Sequence, residues 1–334
     1  MKYLSSKLMT LALVFILALV LGACQEQPAE PDKITVQLSW FHTVEFAGFY
    51  VADQKGFYAE ENLEVTLLPG GPETFPIAEV TAGKAQFGVS AADEIIRAQA
   101  EGQALLALSC IFQENPLVVI SLAEAGIRHP EDLVGKTVGV ISPALDTTWD
   151  IQFIALLNQM GIDPASLNFV ANEAYHGADD LLSGRMDAAS GFFSTNEPIV
   201  AIAEGYPINS IYYSDYGVAF YNNLIFAEAS LVEQQPDLVQ RFMRATLKGY
   251  LAAIENPEEA TDFTLLYDNT LDRAFQLASM QTQIPLIDTG NAALGWMDIA
   301  VWQNAMDILL AQNILSEAVD LEKVFTNQFI EQSK

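Results

Sequence analysis

The residues best equipped for chemistry in this chain fall in one short run, Trp40-Phe41-His42-Thr43-Val44-Glu45-Phe46-Ala47-Gly48-Phe49-Tyr50. Five of these eleven residues are aromatic, and one histidine and one carboxylate sit between them. Rings at a strand-to-helix turn give stacking surface for a flat heterocycle, and a carboxylate or amide beside them can bind its N–H groups or the hydroxyls of a polyol tail. The expectation is half of a ligand clamp, made of Trp40, His42, Glu45 and Phe46. Phe192-Phe193 with Asn196-Glu197 repeats the combination later in the chain and is the expected second half. Asp93, Gln113, Asn115, Ser142 and Asp146 stand at other turns and complete the candidate ligand-binding set.

Each candidate also has a structural alternative. Trp40 can cap a sheet, and His42 can be an exposed turn residue. Glu45 can be a first-turn carboxylate favoured by the helix dipole. Asp93 and Asp146 read as N-caps whichever role holds. No catalytic or metal-ligating set is expected: His129 and His176 lack metal-site spacing, and neither a Ser-His-Asp pattern nor a paired-cysteine pattern is present.

The elements that must position these residues alternate. Strand patterns at Ile34–Leu38, Leu63–Leu68, Phe87–Val89, Ala104–Ile111 and Leu117–Leu122 are separated by helical ones at Ile77–Ala82 and Glu94–Ala100. The alternation restarts at Pro130 with strands at Thr137–Ile141, Leu167–Val170, Ala188–Phe192 and Ile208–Tyr213, and helices at Thr147–Met160, Ala178–Ser183 and Thr195–Glu204. One apolar strand, Val218–Phe226, then gives way to helices only, the longest Leu238–Glu255. Trp296 and Trp302, beside the last large helix, read as core. Continuous apolar strands alternating with helices predict an α/β fold with helices on both sheet faces. Helices without strands of their own must cover an existing sheet, so the chain is expected to return to the first lobe. The expected division is lobe 1 over 34–116 and 214–334, and lobe 2 over 117–213. Open α/β sheets bind ligands beyond the carboxyl ends of their strands, which nominates the turns named above.

The N-terminus supplies an address. Lys2 and Lys7 precede an apolar run from Leu8 to Leu21 that ends in Leu21-Gly22-Ala23-Cys24. This is a secretory signal peptide over 1–23, with Cys24 as the lipidated first residue of the mature chain and a polar tether over 24–33. Anchoring on the extracytoplasmic face of the cell membrane follows. The net charge of −28 argues against nucleic acid as a partner. Cys110 is then the one cysteine besides the lipidated Cys24, which leaves no intramolecular disulfide. The chain is expected to act as a monomer.

Leu38-Ser39-Trp40 with Phe49-Tyr50-Val51-Ala52-Asp53-Gln54-Lys55-Gly56-Phe57-Tyr58 resembles the opening of the NMT/thiamine-pyrimidine-synthase-like family of binding proteins. Leu133–Gly139, Gly184–Ala188 and Asn196-Glu197-Pro198 extend the resemblance across Lys33 to Lys334. It implies a bilobal type II periplasmic-binding-protein fold and delivery of a small-molecule vitamin to an ABC permease. Riboflavin is the first choice of transported ligand and a formylaminopyrimidine or hydroxymethylpyrimidine thiamine precursor the second, with no cofactor. The family's enzymes use a histidine and a cysteine-rich run. Glu94 and Tyr216–Tyr221 stand at the matching positions here, which argues against synthase activity; a sensory role is a further alternative. The nominated turns contain no lysine or arginine, so the expected clamp suits a ring better than an anion.

Overall fold

The computed structural model describes residues 30–172 and 179–332. The leader, Cys24, residues 24–29 of the tether, His176 and the start of the Ala178–Ser183 segment lie outside the described residues, and the last two tether positions, Asp32 and Lys33, already belong to the first strand. Ten strands form two mixed sheets of five. The first contains β1 (Asp32–Gln37), β2 (Leu63–Leu68), β3 (Phe87–Ser90), β4 (Leu105–Phe112) and β10 (Asn222–Glu228), in the order β2-β1-β3-β10-β4. The second contains β5 (Leu117–Leu122), β6 (Thr137–Val140), β7 (Asn168–Ala171), β8 (Ala188–Phe193) and β9 (Ile208–Tyr212), in the order β7-β6-β8-β5-β9. Each sheet has three parallel neighbours and one antiparallel strand, β10 or β5, that entered from the other lobe. This exchange makes the fold bilobal.

The helices that shape the site are α1 (Ala47–Gln54), α2 (Pro76–Thr81) and α3 (Ala92–Ala100) in the first lobe, and α4 (Thr148–Gln159) and α5 (Glu197–Ala203) in the second. The C-terminal α6 (Pro236–Glu255), α7 (Pro257–Thr264), α8 (Arg273–Ile287) and α9 (Ile299–Ala311) belong with the first sheet. Strands β3, β4 and β5 are buried along nearly their whole length, while the edge strands β2, β7 and β9 are only partly covered. Trp302 is fully buried with its ring stacked 5.4 Å from that of Phe325, and Trp296 is half-buried against the other core cluster. The C-terminal segment also bridges to the outer edge of β4 at Ala107–Phe325 and Cys110–Gly295, which shields that edge from further pairing.

Two connections join the lobes, and Asn115 stitches them together. Its amide donates to Gln152 Oε1 at 2.8 Å and to the Val218 carbonyl at 3.0 Å, and its Oδ1 accepts from the Leu117 amide at 3.1 Å. The apolar stretch expected as strand Val218–Phe226 is strand only from Asn222. Gly217 turns the chain with φ 79°, the Ala219 amide is drawn to Asn304 Oδ1 at 3.1 Å, and the segment crosses between lobes. The two expected N-caps are also corrected. Ala91 occupies the cap position of α3, where the Glu94 carboxylate reaches back towards the Ala91 amide, and Thr147 caps α4 by accepting from the Asp150 amide at 3.2 Å. Asp93 is instead buried one position into its helix, and Asp146 precedes the Thr147 cap.

Helices α1 and α6 touch through glycines. A Cβ on Gly249 would lie 2.1 Å from the Gly48 carbonyl oxygen, a backbone atom that cannot move aside. Alanine is ordinarily worth about 1 kcal/mol over glycine in a helix. Here Gly249→Ala is expected to destabilise by roughly 1–3 kcal/mol because the packing cost outweighs that gain. Denaturant unfolding checks it, and a stability equal to or above the wild type would refute the close approach.

Candidate functional site

The strand ends of both sheets face a cleft of about 770 Å³ between the lobes. The first lobe brings Ser39, Trp40 and Glu45 from the turn after β1, Gly71 to Pro76 from the turn after β2, and the face of α3. The second lobe brings Asp146 to Trp149 and the segment from Gly191 to Glu197. Trp40 is half-buried, packed on the first-lobe core and edge-on to Phe41 at 5.2 Å. Phe192 is buried in the wall opposite, and Phe193 packs edge-on against Phe112 at 6.1 Å. Phe75 lines the cleft and stays exposed, and Phe41 beside Trp40 is also exposed.

Asp93 and Thr148 close the floor between these walls. Thr148 Oγ1 donates to Asp93 Oδ2 at 2.8 Å from the first turn of α4, and both residues are buried. Burial, with the Glu94 charge beside it, raises the pKa of Asp93 to about 7, and its Oδ1 has no partner. The arm leading into α4 is held by Asp150, which accepts from the amides of Ile141 and Ser142 at 2.9 and 2.8 Å.

Two more carboxyls face each other across the cleft. Desolvation raises Glu45 to about 7, only partly countered by the neighbouring Asn223 amide. Glu197 is raised to about 7 by desolvation, against hydrogen bonding that includes the Phe193 amide at 3.1 Å, and the Glu45 charge adds to the shift. A buried carboxyl with so few donors awaits an N–H or O–H group. Asn222 and Asn223, at the start of β10, lie beside them, and Asn223 holds a left-handed φ of 52°.

Of the sequence candidates, Trp40, Glu45, Asp146, Phe192, Phe193, Asn196 and Glu197 line the cleft. The others turn elsewhere. His42 points away, its Nδ1 3.0 Å from the Tyr50 hydroxyl, and burial lowers its basicity. Phe46 is wholly inside the first-lobe core. Gln113 is tied to the Ala293 carbonyl at 2.8 Å, and Asn115 is the stitch between the two connections. Ser142 accepts from the Ala144 amide at 3.2 Å and shapes the arm, while Asp93 supports the floor.

Sequence reasoning missed Trp149, the Asn222-Asn223 pair, and the α3 face carrying Glu94, Arg97 and Glu101. The asparagine pair had a signal, since two amides interrupting an apolar run need partners or a ligand. The turns hold no cation, yet Arg97 reaches the cleft from within a helix.

A family model described as "NMT1/THI5 like" matches residues 43–260. The chain belongs to this family. It is 28% identical over 323 residues to the formylaminopyrimidine-binding protein of Halalkalibacterium halodurans, covering 92% of this chain and 95% of that one. It is 25% identical over 312 residues to the riboflavin-binding protein RibY of Chloroflexus aurantiacus, covering 90% and 86%. Further matches are named 4-amino-5-hydroxymethyl-2-methylpyrimidine phosphate synthase. Among solved structures, the periplasmic aliphatic sulphonate binding protein SsuA of Escherichia coli superposes with a TM-score of 0.70 at 13% identity, covering 88% of this chain and 91% of that one. The fold is that of the periplasmic binding proteins.

The raised carboxyls fix a pH dependence. Between the ordinary value of 4.5 and about 7, Glu45 and Glu197 keep protons in the folded protein that the unfolded chain has released. Stability of the ligand-free protein therefore falls as pH rises through that window and levels off above it. Glu197→Gln keeps an acceptor for the Phe193 amide and removes the charge. It is expected to gain about 1 kcal/mol at pH 8 relative to wild type and nothing at pH 5. Thermal unfolding across pH measures this, and parallel pH profiles would contradict it.

Proposed function

We propose that this protein is the extracytoplasmic solute-binding component of an ABC importer and that it captures a flat heteroaromatic vitamin, riboflavin first. The observation that carries the reading is the meeting of Trp40, Phe192 and Phe193 with the under-hydrogen-bonded Glu45 and Glu197 in one interlobe cleft. Rings on both walls stack on the two faces of a planar ligand. The carboxyls and the amides of Asn196, Asn222 and Asn223 match the mixed N–H and carbonyl edge of the pyrimidine ring in a flavin. Lobe closure around such a ligand would expel water and present a closed form to a permease.

Size favours riboflavin over a formylaminopyrimidine. Sites for drug-sized ligands run to roughly 300–1,000 Å³, and a single pyrimidine ring would leave much of a cleft of about 770 Å³ to water. The names of two relatives fit either ligand. Binding without turnover is the preferred reading, because Glu94, at the position that resembles the synthases' histidine, accepts a hydrogen bond from the Ser90 hydroxyl. A lipid anchor on Cys24, with its 1–23 leader, would hold the monomer at the membrane. No helix among the described residues is long and apolar enough to cross a membrane.

Titration of riboflavin with the purified mature protein is expected to quench the flavin's fluorescence at micromolar concentration. Trp40→Ala is expected to weaken binding by about 1 kcal/mol or more through loss of a stacking face. Absence of quenching in the wild type would remove riboflavin, and calorimetry with formylaminopyrimidine would then test the second ligand.

A further inference from the structure

Among the described residues very few cations are left without an ion-pair partner. Of the twelve lysines and arginines among the described residues, nine form ion pairs, leaving Arg97, Arg128 and Lys136. Of these three only Arg97 lines the cleft. The carboxylates nearest in sequence are committed elsewhere. Glu94 accepts from the Ser90 hydroxyl, and Asp93, which feels the Arg97 charge, is bonded to Thr148. An arginine without a carboxylate partner in so acidic a protein is available to something that enters the cleft.

Its neighbours say what that is. Glu94, Arg97, Ala98 and Glu101 line the cleft at positions i, i+3, i+4 and i+7 of α3 and its C-terminal end, so they form one stripe. Along the stripe an acceptor, a fork of donors and a second acceptor alternate over about 10 Å. Gln103 follows, and its amide oxygen has no hydrogen-bond partner. Two flanking carboxylates make the stripe a poor seat for a phosphate dianion, which they would repel. Vicinal hydroxyls, each both donor and acceptor, match the alternation.

We propose that the α3 stripe of Glu94, Arg97 and Glu101 is a subsite for a neutral polyhydroxylated tail, with the ring held at the Trp40 end of the cleft. This deepens the heteroaromatic reading and depends on it. It assigns a polyol-bearing ligand to a site that a bare pyrimidine would leave half empty.

Three flavins that share a ring but differ in the tail test it: riboflavin, lumiflavin with a methyl group for the ribityl chain, and flavin mononucleotide with a phosphate at its end. In the wild type, riboflavin is expected to bind about tenfold or more tighter than lumiflavin, as for hydrogen bonds to charged groups, and flavin mononucleotide more weakly than riboflavin. Arg97→Ala is expected to bring riboflavin and lumiflavin within about threefold of each other, with lumiflavin binding serving as the check that the variant is folded. Equal binding of riboflavin and lumiflavin to the wild type, or an unchanged ratio in Arg97→Ala, would overturn the tail subsite and leave the ring site standing. Tighter binding of flavin mononucleotide than of riboflavin would replace the polyol with an anion and also overturn it. Failure of all three flavins to bind would end both the subsite and the flavin reading.

Discussion

A carboxylate taken out of water must be answered by the protein, and across the cleft Asp93 is answered by the Thr148 hydroxyl of the opposite lobe. The Thr148–Asp93 bond sits at the floor of the cleft, where Thr147, Trp149, Ala91 and Glu94 line the space beside it. It fixes the first turn of α4 against α3 and therefore sets how close the two walls stand. The arm organised by Asp150 and the Trp149 ring lie on the α4 side of this contact, and the α3 stripe lies on the other. The unpartnered second oxygen of Asp93 makes the arrangement costly, as expected of a contact that holds a site in shape at the expense of stability.

The same physics governs the chamber above. Glu45 comes from the turn after β1 and Glu197 from the first turn of α5, so each lobe contributes one carboxyl of the pair. Burial is the larger cause for both groups, and Glu197 also feels the charge of Glu45 from the other lobe. The rings do comparable service on the apolar side, giving flat surfaces with few rotatable bonds.

Much of the architecture was readable from the chain because buried strands in α/β folds are written as largely apolar runs, as in β4 and β5, while β2 shows the alternation of a half-exposed edge strand. The rule that ligands gather beyond strand ends led directly to Trp40, Glu45, Phe193 and Glu197. It failed for residues whose direction, not position, decides their role. His42 lies between two cleft-lining residues yet turns back to Tyr50, and Phe46 goes wholly inward. Gln113 and Asn115 follow a strand end, but theirs is the connection between lobes, which Asn115 stitches from behind. Arg97 stayed hidden because a helix face contributes to a cleft only through its angle of packing. The Val218–Tyr221 run misled because its apolar side chains are buried in a crossing segment that pairs with side chains instead of a neighbouring strand.

The stitching at Asn115 has one more consequence. Because Leu117 and Tyr213 meet backbone to backbone at 3.1 Å, the second lobe leaves the first and returns to it through neighbouring points. A segment with adjoining ends can be exchanged for a homologous one without lengthening any connection or rethreading either sheet. One wall of the cleft, including Phe192, Phe193 and Glu197, travels with that segment, while Trp40, Glu45 and the α3 stripe stay behind. Ligand preference in this architecture can therefore change in whole modules, by recombination at two adjacent seams, as well as residue by residue.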